Sequence, residues 1–201
     1  MNVLEQHGFM HFKTYDSYWY RMPNSYVILA QLDGEAVGGI RLEMGKENSL
    51  LPYEKVLSPL FPEVLDIRAK NNLGKVAEPC SLWNSKKVSG KNLSMFLSRA
   101  SIAMASLLDF DTIISFNATY TFRIPKDVGC TMIHDIGEQG YFNYPTNQFR
   151  AALWLHTDLG DLQEADQVAK SRMLSLRKNR KQSFKEEYDG IELNIEYDLQ
   201  V

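Results

Sequence analysis

The stretch from Glu78 to Phe110 constrains the fold of this chain more than any other part. It opens with the strand-like CSLWN, continues through the polar NSKKVSGKN, and ends in the apolar-faced LSMFLSRASIAMASLLDF. In the last segment, apolar residues recur at helical spacing: Leu93, Phe96, Leu97, Ala100, Ala103, Met104, Leu107 and Leu108. The pattern predicts a strand, a loop and a long helix whose apolar stripe packs on a sheet.

Further strand signals lie before this unit. Two runs rich in Val, Ile and Leu flank Asp33-Gly34, a pair that favours a tight hairpin turn. The first run, YVILA, is apolar without a break, which predicts a strand covered on both faces. Gly38-Gly39 in the second run indicates a bulge or a close approach by another backbone. Residues 48–66 carry three prolines, which exclude one long helix and predict short helical turns forming a flap.

The second half alternates similar signals. TIISFN predicts a short buried strand, and ATYTFRIPKDVG a brief helix interrupted near Pro125. CTMIHDIG and QFRAALWLHT predict two strands separated by the turn-rich GEQGYFNYPTN. A last helix is expected over roughly 161–185, before the half-buried strand IELNIEYDL. With residues 1–24 as short helical or irregular pieces, residues 1–201 are predicted to form one α/β (α+β) domain with a mixed central sheet flanked by helices.

Composition narrows the class of protein. With 201 residues and 44% hydrophobic content the chain can bury a sizeable core, and a net charge of −3 does not favour nucleic-acid binding. Cys80 and Cys130 lack paired spacing, which fits a reducing cytoplasm better than a disulfide framework. His7 and His11 stand four apart with no evident third ligand, so no metal site is predicted. We find no apolar run long enough for a membrane span and no signal-peptide pattern, so a cytoplasmic protein is expected.

The loop before the long helix has the features of a phosphate site. Helix N-termini present unpaired N–H groups and partial positive charge. Gly90 would let a ligand approach the backbone closely, and Lys86, Lys87 and Lys91 add positive charge. The alternative is an ordinary loop in which Ser89 or Asn92 caps the helix.

The order of elements and several local motifs resemble the GNAT superfamily of acyltransferases. Within it, the likeness is to acyl-homoserine lactone (autoinducer) synthases and to N-acyl amino acid synthases. YVILAQLDGEAVGGIRLEM resembles that branch's strand pair ending in Gly-x-x-Arg-Leu, with Arg41 in the arginine position. LPYEKVLSPLFP, AEPCSLW, DFDTIISF and YTFRIPKDVGCTMI resemble segments that follow it, so the likeness covers roughly residues 25–136.

Two departures favour the N-acyl amino acid synthases over the autoinducer synthases. In autoinducer synthases an arginine follows the strand glutamate by three residues, whereas here Glu78 is followed by Ser81. Their longer N-terminal region helps bind S-adenosylmethionine, whereas here about 25 residues precede the first clear strand, with Tyr15-Asp16 as a remnant at most. The resemblance therefore implies transfer of a long acyl chain from acyl carrier protein to an amino acid amine, with tyrosine as the best single acceptor.

Acyl transfer from a thioester to an amine requires a deprotonated amine, a polarised carbonyl and a bound donor. The resemblance assigns the backbone N–H groups of Leu82, Trp83 and Asn84 to the carbonyl. It assigns the pantetheine phosphate to the loop, with contacts from Lys87, Ser89, Gly90 and Lys91. Acyl-phosphopantetheine would be the donor group, and no permanently bound cofactor is expected.

Glu78 is the candidate general base; the alternative is that it is a solvated carboxylate at the end of a strand. Glu138 is the second candidate for the base, although a structural role in a turn is favoured for it. Arg41 would bind an amino-acid carboxylate or form a structural ion pair. Arg123 would bind substrate or anchor its short helix. A covalent acyl group on Cys80 is conceivable, but a buried strand cysteine is usually inert. An acyl tunnel would suit a set of residues that core packing also explains: Met95, Phe96, Met104, Phe116, Phe122, Tyr141 and Phe142.

Seven basic residues and no acidic one lie between Lys170 and Lys185. They would complement the C-terminal dipole of a helix or form a docking surface for acidic acyl carrier protein. Arg177, Lys178, Arg180 and Lys181 are the predicted docking residues, and contact with a membrane surface is another use for them. The rival functions are an autoinducer synthase, a small-acyl transferase that uses coenzyme A, and a non-catalytic lipid- or carrier-binding module.

Overall fold

A computed structural model describes residues 24–46, 49–188 and 190–200. Its main sheet contains β1 (Ser25–Leu32), β2 (Glu35–Met44), β3 (Val76–Asn84), β4 (Thr112–Ala118), β5 (Thr131–Met132), β6 (Tyr141–Asn143) and β7 (Arg150–His156). The strand order is β1-β2-β3-β4-β7-β5, with β6 also paired to β7. β3 and β4 are parallel and the other pairs are antiparallel, so the sheet is mixed, as the sequence predicted.

The helices in the described ranges are α1 (Pro52–Leu57), α2 (Ile67–Lys70), α3 (Leu93–Leu107), α4 (Arg123–Asp127) and α5 (Gln167–Lys178). Three 3₁₀ turns accompany them, at Pro62–Asp66, Lys86–Val88 and Thr119–Thr121. β8 (Lys181–Tyr188) and β9 (Ile191–Asp198) form a separate two-stranded sheet. None of these helices has both the length and the apolar character that a membrane span requires.

The predicted hairpin is confirmed, but its first strand lies at the edge of the sheet. Asp33 and Gly34 both have positive φ, 52° and 81°, as a tight turn between antiparallel strands requires. Val27 and Leu29 are 43% and 55% exposed, while the alternate residues of β1 face the core. The expectation that YVILA is covered on both faces is therefore wrong, because only the face that carries Tyr26 and Ile28 packs on the core.

Pro52 and Pro62 are the first residues of α1 and of the Pro62–Asp66 turn, and Pro59 follows the end of α1. The segment covers one face of the sheet. α1, the Pro62–Asp66 turn and α2 follow one another, as predicted. Their buried side chains form the second hydrophobic core with residues of β3, β4, β6 and β7: Leu51, Tyr53, Leu57, Val64, Ile67, Val76, Ile114, Phe142 and Leu153. The larger core lies on the opposite face, under α3 and α5.

The C-terminal half departs from the sequence prediction in three places. Pro125 does not interrupt a helix, because it lies in the first turn of α4, where a missing N–H costs nothing. β6 forms within the segment predicted as turn only. Residues 181–185, predicted as helix, are strand β8, so the helix expected over 161–185 is confined to Gln167–Lys178.

A buried ion cluster holds the β8–β9 hairpin against the helices. Glu186 of β8 is 4% exposed and accepts hydrogen bonds from Arg172 of α5 at 2.9 Å and Arg99 of α3 at 3.3 Å. Pairing buried charges in this way makes each one depend on the others. α3, α5 and the hairpin therefore form one packed layer on the larger core.

Candidate active site

A cleft opens where β3 and β4 separate. The two parallel strands pair only at Val76 with Thr112 and at Ala77 with Ile113, and they diverge beyond these pairs. The resulting cleft of about 260 Å³ is lined by residues of β3, α3, β4 and the segment around α4. Its edges carry unpaired strand backbone, which is suited to binding an extended ligand with amide groups.

A β-bulge distorts β3 beside this cleft. Two steps along β2, from Gly39 to Arg41, correspond to three steps along β3, from Trp83 to Cys80. The bulge includes Ser81, which has a φ of 53°, a value that is unusual for a residue other than glycine. Bulges of this kind redirect backbone groups away from the ladder, here beside the cleft-lining Ser81 and Leu82.

Much of the cleft wall is polar. Ser98 and Ser101 of α3 bond to the carbonyls of Ser94 and Ser98, so their hydroxyls are already engaged. Asn117 of β4 differs, because its side-chain oxygen is buried without a hydrogen-bond partner among the described residues. An unpaired buried acceptor costs about 1–3 kcal/mol, so a ligand N–H that reaches Asn117 would bind favourably. Asn117 is not among the residues predicted from the sequence, because nothing local distinguishes it from any other polar residue at a strand end.

The three predicted carbonyl-binding residues have different surroundings. Leu82 lines the cleft, whereas the indole of Trp83 lies across Gly39. Asn84 donates to Ser94 Oγ of α3 at 2.6 Å and so connects the end of β3 to the start of the helix. The irregularity predicted at Gly38-Gly39 is confirmed, because the β2–β3 register shifts between Gly39 and Arg41. A Cβ on Gly38 would lie 3.1 Å from the backbone oxygen of Trp83 and 2.6 Å from Leu93 Cδ2 of α3.

The loop between β3 and α3 presents a helix N-terminus of the predicted kind. α3 begins after Asn92, which has a φ of 55° and makes no side-chain cap hydrogen bond. Gly90 has a φ of +75° and open space around it. Ser89 is exposed, Lys87 is ion-paired with Glu35, and Lys91 faces a neighbouring groove between β1 and β9. The capping alternative for Asn92 is thus not realised in the described structure.

Three buried carboxylates and two arginines lie between the flap and strands β2 and β3. Glu54 is fully paired, because it accepts two bonds from Arg68, one from the N–H of Leu51 and one from the hydroxyl of Tyr53. Glu43 contacts Arg41 at 3.1 Å and Lys55 at 3.7 Å. Glu54 is therefore structural, whereas Glu43 and Arg41 form a smaller pair nearer the cleft.

Glu78, the candidate base, lies directly opposite Glu43 in the β2–β3 register and is 3% exposed. It is not a solvated strand-end carboxylate. Its carboxylate accepts the N–H of Tyr53 at 2.9 Å. Burial raises the pKa of Glu78 well above its usual range, and the Glu43 charge raises it further, against the lowering effects of Tyr53 and Arg41. A raised pKa of this kind is typical of a carboxyl group that exchanges protons in a reaction.

Arg41 is joined to the cleft through Cys80. Its Nε donates to Cys80 Sγ at 3.1 Å, and Cys80 lines the cleft. Burial raises the pKa of the Cys80 thiol to about 12, with a smaller contribution from Glu78. The thiol is therefore neutral at physiological pH, which argues against Cys80 as a nucleophile.

The other predicted site residues lie away from the cleft or have structural partners. Arg123 is exposed, bonds to Asp127 and to the hydroxyl of Tyr188, and so has the contacts of an anchor. Glu138 is exposed in a tight turn closed by backbone bonds with Tyr141. Of the residues considered for an acyl tunnel, Phe116 lines the cleft and packs edge-on against the buried Phe142.

The predicted docking residues do not share one helix. Lys178 is exposed at the end of α5, and Arg180 is exposed just before β8. Arg177 is half-buried and donates to the carbonyl of Gly160 at 2.9 Å, while Lys181 of β8 pairs with Asp198. His7, His11 and Tyr15-Asp16 lie outside the described residues.

Three solved structures resemble this one over most of their length. FeeM, an N-acyl amino acid synthase from uncultured soil microbes, has a TM-score of 0.61 at 14% identity, covering 82% of this chain and 88% of its own. BjaI, a CoA-dependent acyl-homoserine lactone synthase solved with SAM and isopentyl-CoA, has a TM-score of 0.53 at 14% identity, covering 85% and 75%. A protein assigned to the GNAT acetyltransferases, from Desulfovibrio desulfuricans, has a TM-score of 0.50 at 9% identity, covering 77% and 87%.

No protein-family model matches the chain, and no curated protein does so either. At identities of this level, structural likeness establishes the fold and leaves the reaction to be argued from the site. The hairpin, the flap, strand β3, the loop and the long helix α3 follow one another in the order that the sequence resemblance implied. This chain therefore has the GNAT acyltransferase fold, shared with an N-acyl amino acid synthase and an acyl-homoserine lactone synthase.

Proposed function

We propose that this chain is an N-acyltransferase that moves an acyl group from a pantetheine thioester to the amine of an amino acid. The observation that carries the proposal is the meeting of two half-sites at Cys80. One is the cleft between β3 and β4, and the other is the buried pair of opposite charges, Arg41 with Glu43, next to Glu78.

The donor half-site fits a pantetheine arm. Its amide groups would bond to the exposed edges of β3 and β4 and to Asn117, while its phosphate would lie at the N-terminus of α3 near Ser89, Gly90 and Lys91. A cleft of about 260 Å³ holds roughly eight or nine groups the size of a water molecule. The arm itself fills such a volume, so a long acyl chain would continue beyond it, along the apolar wall that Phe116 begins.

The acceptor half-site fits a zwitterion. In an amino acid the ammonium nitrogen and the carboxylate carbon are both bonded to Cα, so the two charges lie close together. Arg41 can pair with the carboxylate, and Glu78, once ionised, can pair with the ammonium group. In a buried setting each of these pairs is stronger than in water. Tyrosine is the proposed acceptor, and acyl carrier protein the proposed donor, on the family resemblance.

The reaction then follows from the placement of the groups. Glu78 takes a proton from the bound ammonium, and the freed nitrogen lone pair attacks the thioester carbonyl. Backbone N–H groups of the Leu82–Asn84 segment stabilise the oxyanion that forms. The C–S bond breaks as the amide forms, and the departing thiolate takes the second proton, which the attacking nitrogen loses. Glu78 releases the first proton to solvent, so the carboxylate is restored.

The test is a purified reconstitution with mass-spectrometric detection. The protein is incubated with palmitoyl-acyl carrier protein, palmitoyl-CoA or acetyl-CoA, and with tyrosine, other amino acids or S-adenosylmethionine. N-palmitoyl tyrosine from the carrier-protein donor is the expected product. An acyl-homoserine lactone would identify an autoinducer synthase, acetylated amine a small-acyl transferase, and no product with any pair would contradict the proposal.

A further inference from the structure

Cys80 lies between the two half-sites and contacts both. Its side chain lines the cleft, and its sulfur accepts a hydrogen bond from Arg41 Nε at 3.1 Å. Cys80 and Arg41 are also direct neighbours across the β2–β3 ladder. A side chain in this position can transmit the geometry of the donor cleft to the guanidinium that we assign to the acceptor.

Arg41 is held on two sides. Glu43 contacts Nη2 at 3.1 Å, and Cys80 contacts Nε, so the plane of the guanidinium is fixed by one partner from its own strand and one from β3. A planar guanidinium binds a carboxylate through two parallel hydrogen bonds only when its plane is correctly oriented. Loss of the Cys80 contact would remove one of the constraints on the orientation of this plane.

We infer that Cys80 is a positioning residue that orients Arg41 toward the carboxylate of the amino-acid acceptor. The inference rests on the proposed function and adds a determinant of acceptor choice to it. Cys80 acts through Arg41 and as a neutral hydrogen-bond acceptor, with no covalent acyl-enzyme. We therefore expect the enzyme to distinguish an amino acid from the corresponding amine partly through the Cys80 sulfur.

The test compares tyrosine with tyramine, which lacks the carboxylate. Removing one hydrogen bond, as in Cys80→Ala, should raise the KM and the Kd for tyrosine by about threefold to tenfold and leave tyramine within about twofold. Cys80→Ser, whose hydroxyl can accept the same bond, should restore most of the tyrosine affinity. Cys80→Val, similar in volume and without an acceptor, replaces the alanine variant if the latter fails to fold.

Cys130→Ala is the matched control. Cys130 also lines the cleft, and burial raises its pKa to about 12 as well, but it lies just before β5, on the far side of the cleft from β2. Any general effect of removing a cleft thiol should appear in this variant and should change both acceptors alike. An equal change for tyrosine and tyramine in the Cys80 variants would overturn the inference.

A second readout does not depend on turnover. Methyl methanethiosulfonate should modify Cys80 slowly. Bound palmitoyl-CoA should lower the rate of this modification at least about threefold, because a donor in the cleft covers the sulfur. Peptide mass spectrometry distinguishes modified Cys80 from modified Cys130. Unprotected modification of Cys80 would contradict its place beside the donor. If the wild-type protein acylates neither acceptor, the proposed function fails; if it acylates both and isothermal titration shows no selective loss of tyrosine binding, this inference alone fails.

Discussion

The environment of Glu78 destabilises the ionised form of its carboxyl group and thereby suits it to proton transfer. The side chain is buried between β2 and α1, opposite Glu43, and its one described hydrogen bond comes from the backbone of Tyr53. Burial without a countercharge of its own disfavours the ionised form, which is why its pKa is raised. The folded protein therefore stabilises protonated Glu78, and a group in that state becomes an effective base only as the pH rises.

Replacing Glu78 with Gln should lower kcat by about 10²-fold or more, as expected when a general base is lost. In the wild type, kcat/KM should rise with pH through the raised pKa of Glu78 and fall above the pKa of the acceptor ammonium, from which Glu78 takes the proton. The variant should lack the rise that belongs to Glu78. A pH–rate profile measures both, and an unchanged profile in the variant would remove Glu78 from the mechanism.

Glu78→Gln should also be more stable than the wild type at neutral pH. Because the folded pKa lies above the unfolded value near 4.5, the stabilising contribution of Glu78 is full below that value and is lost as pH rises through the folded pKa. Glutamine keeps an acceptor for the Tyr53 N–H and carries no charge at any pH. Urea unfolding at pH 4 and pH 8 checks this prediction. The free energy of unfolding of the variant should exceed that of the wild type at pH 8, and a lower value there would contradict the assigned burial.

At the scale of elements, the site depends on how closely α3 approaches β2. The first turn of α3 rests on Gly38, and Asn84 bonds to Ser94 at the same place, so the end of β3 and the start of the helix have one fixed separation. This contact sets the position of the loop and helix N-terminus relative to the cleft. Small residues are required where a helix lies so close to a strand.

Gly38→Ala should therefore destabilise the protein by about 1–3 kcal/mol, the usual cost of overpacking. The new Cβ would lie 2.6 Å from Leu93 Cδ2 and 3.1 Å from the carbonyl oxygen of Trp83. Since Leu93 can move and the carbonyl cannot move easily, Leu93→Ala should recover only part of the loss in the double variant. Urea unfolding measures the stability, and the KM for the donor should rise as α3 shifts.

Gly160→Ala is the control for this substitution. A Cβ on Gly160 would meet only Asp158 Oδ1, at 3.9 Å, so it should leave the stability within about 0.5 kcal/mol of the wild type. If Gly38→Ala were as neutral as Gly160→Ala, the close contact between α3 and β2 would not be rigid. The link that we draw between this contact and donor binding would then be lost.

At the scale of the whole molecule, charge is distributed unevenly on a chain with a net charge of −3. Two of the four predicted docking residues have structural contacts, since Arg177 donates to the carbonyl of Gly160 and Lys181 pairs with Asp198. Lys178 and Arg180 are exposed where α5 ends and β8 begins. An acidic carrier protein attracted to this end of the molecule would be steered by long-range charge.

The double substitution Lys178→Glu and Arg180→Glu should raise the KM for acyl carrier protein by about threefold to tenfold at low salt. The effect should shrink above about 0.1 M salt, where the Debye length falls below 10 Å. Acyl-pantetheine, which lacks the carrier protein, should react as before. Lys46→Glu with Lys70→Glu gives the same charge change on the flap side, and equal effects of the two double variants would exclude specific docking.

The sequence by itself determined the elements whose signal is local. The Asp33-Gly34 hairpin, helix α3, strand β4 and strand β9 all appear where periodicity and turn chemistry indicated them. Their residues bury one face or turn sharply whatever lies next to them. Together with the family motifs, these elements were enough to predict the fold and to select Glu78 and Arg41 as candidates.

Tertiary structure decided what depends on the neighbour of an element. Residues 181–188 are rich in charged residues that also suit a helix, yet they form β8 because β9 supplies a partner strand and because Arg99 and Arg172 meet Glu186. β1 is half exposed because the larger core covers one of its faces, whereas the face that carries Val27 and Leu29 is exposed. The separation of β3 from β4, the unpaired oxygen of Asn117 and the contact between Cys80 and Arg41 join residues distant in the chain. Local sequence preferences cannot specify such contacts, because their free energy arises only when the sheet has brought the strands together.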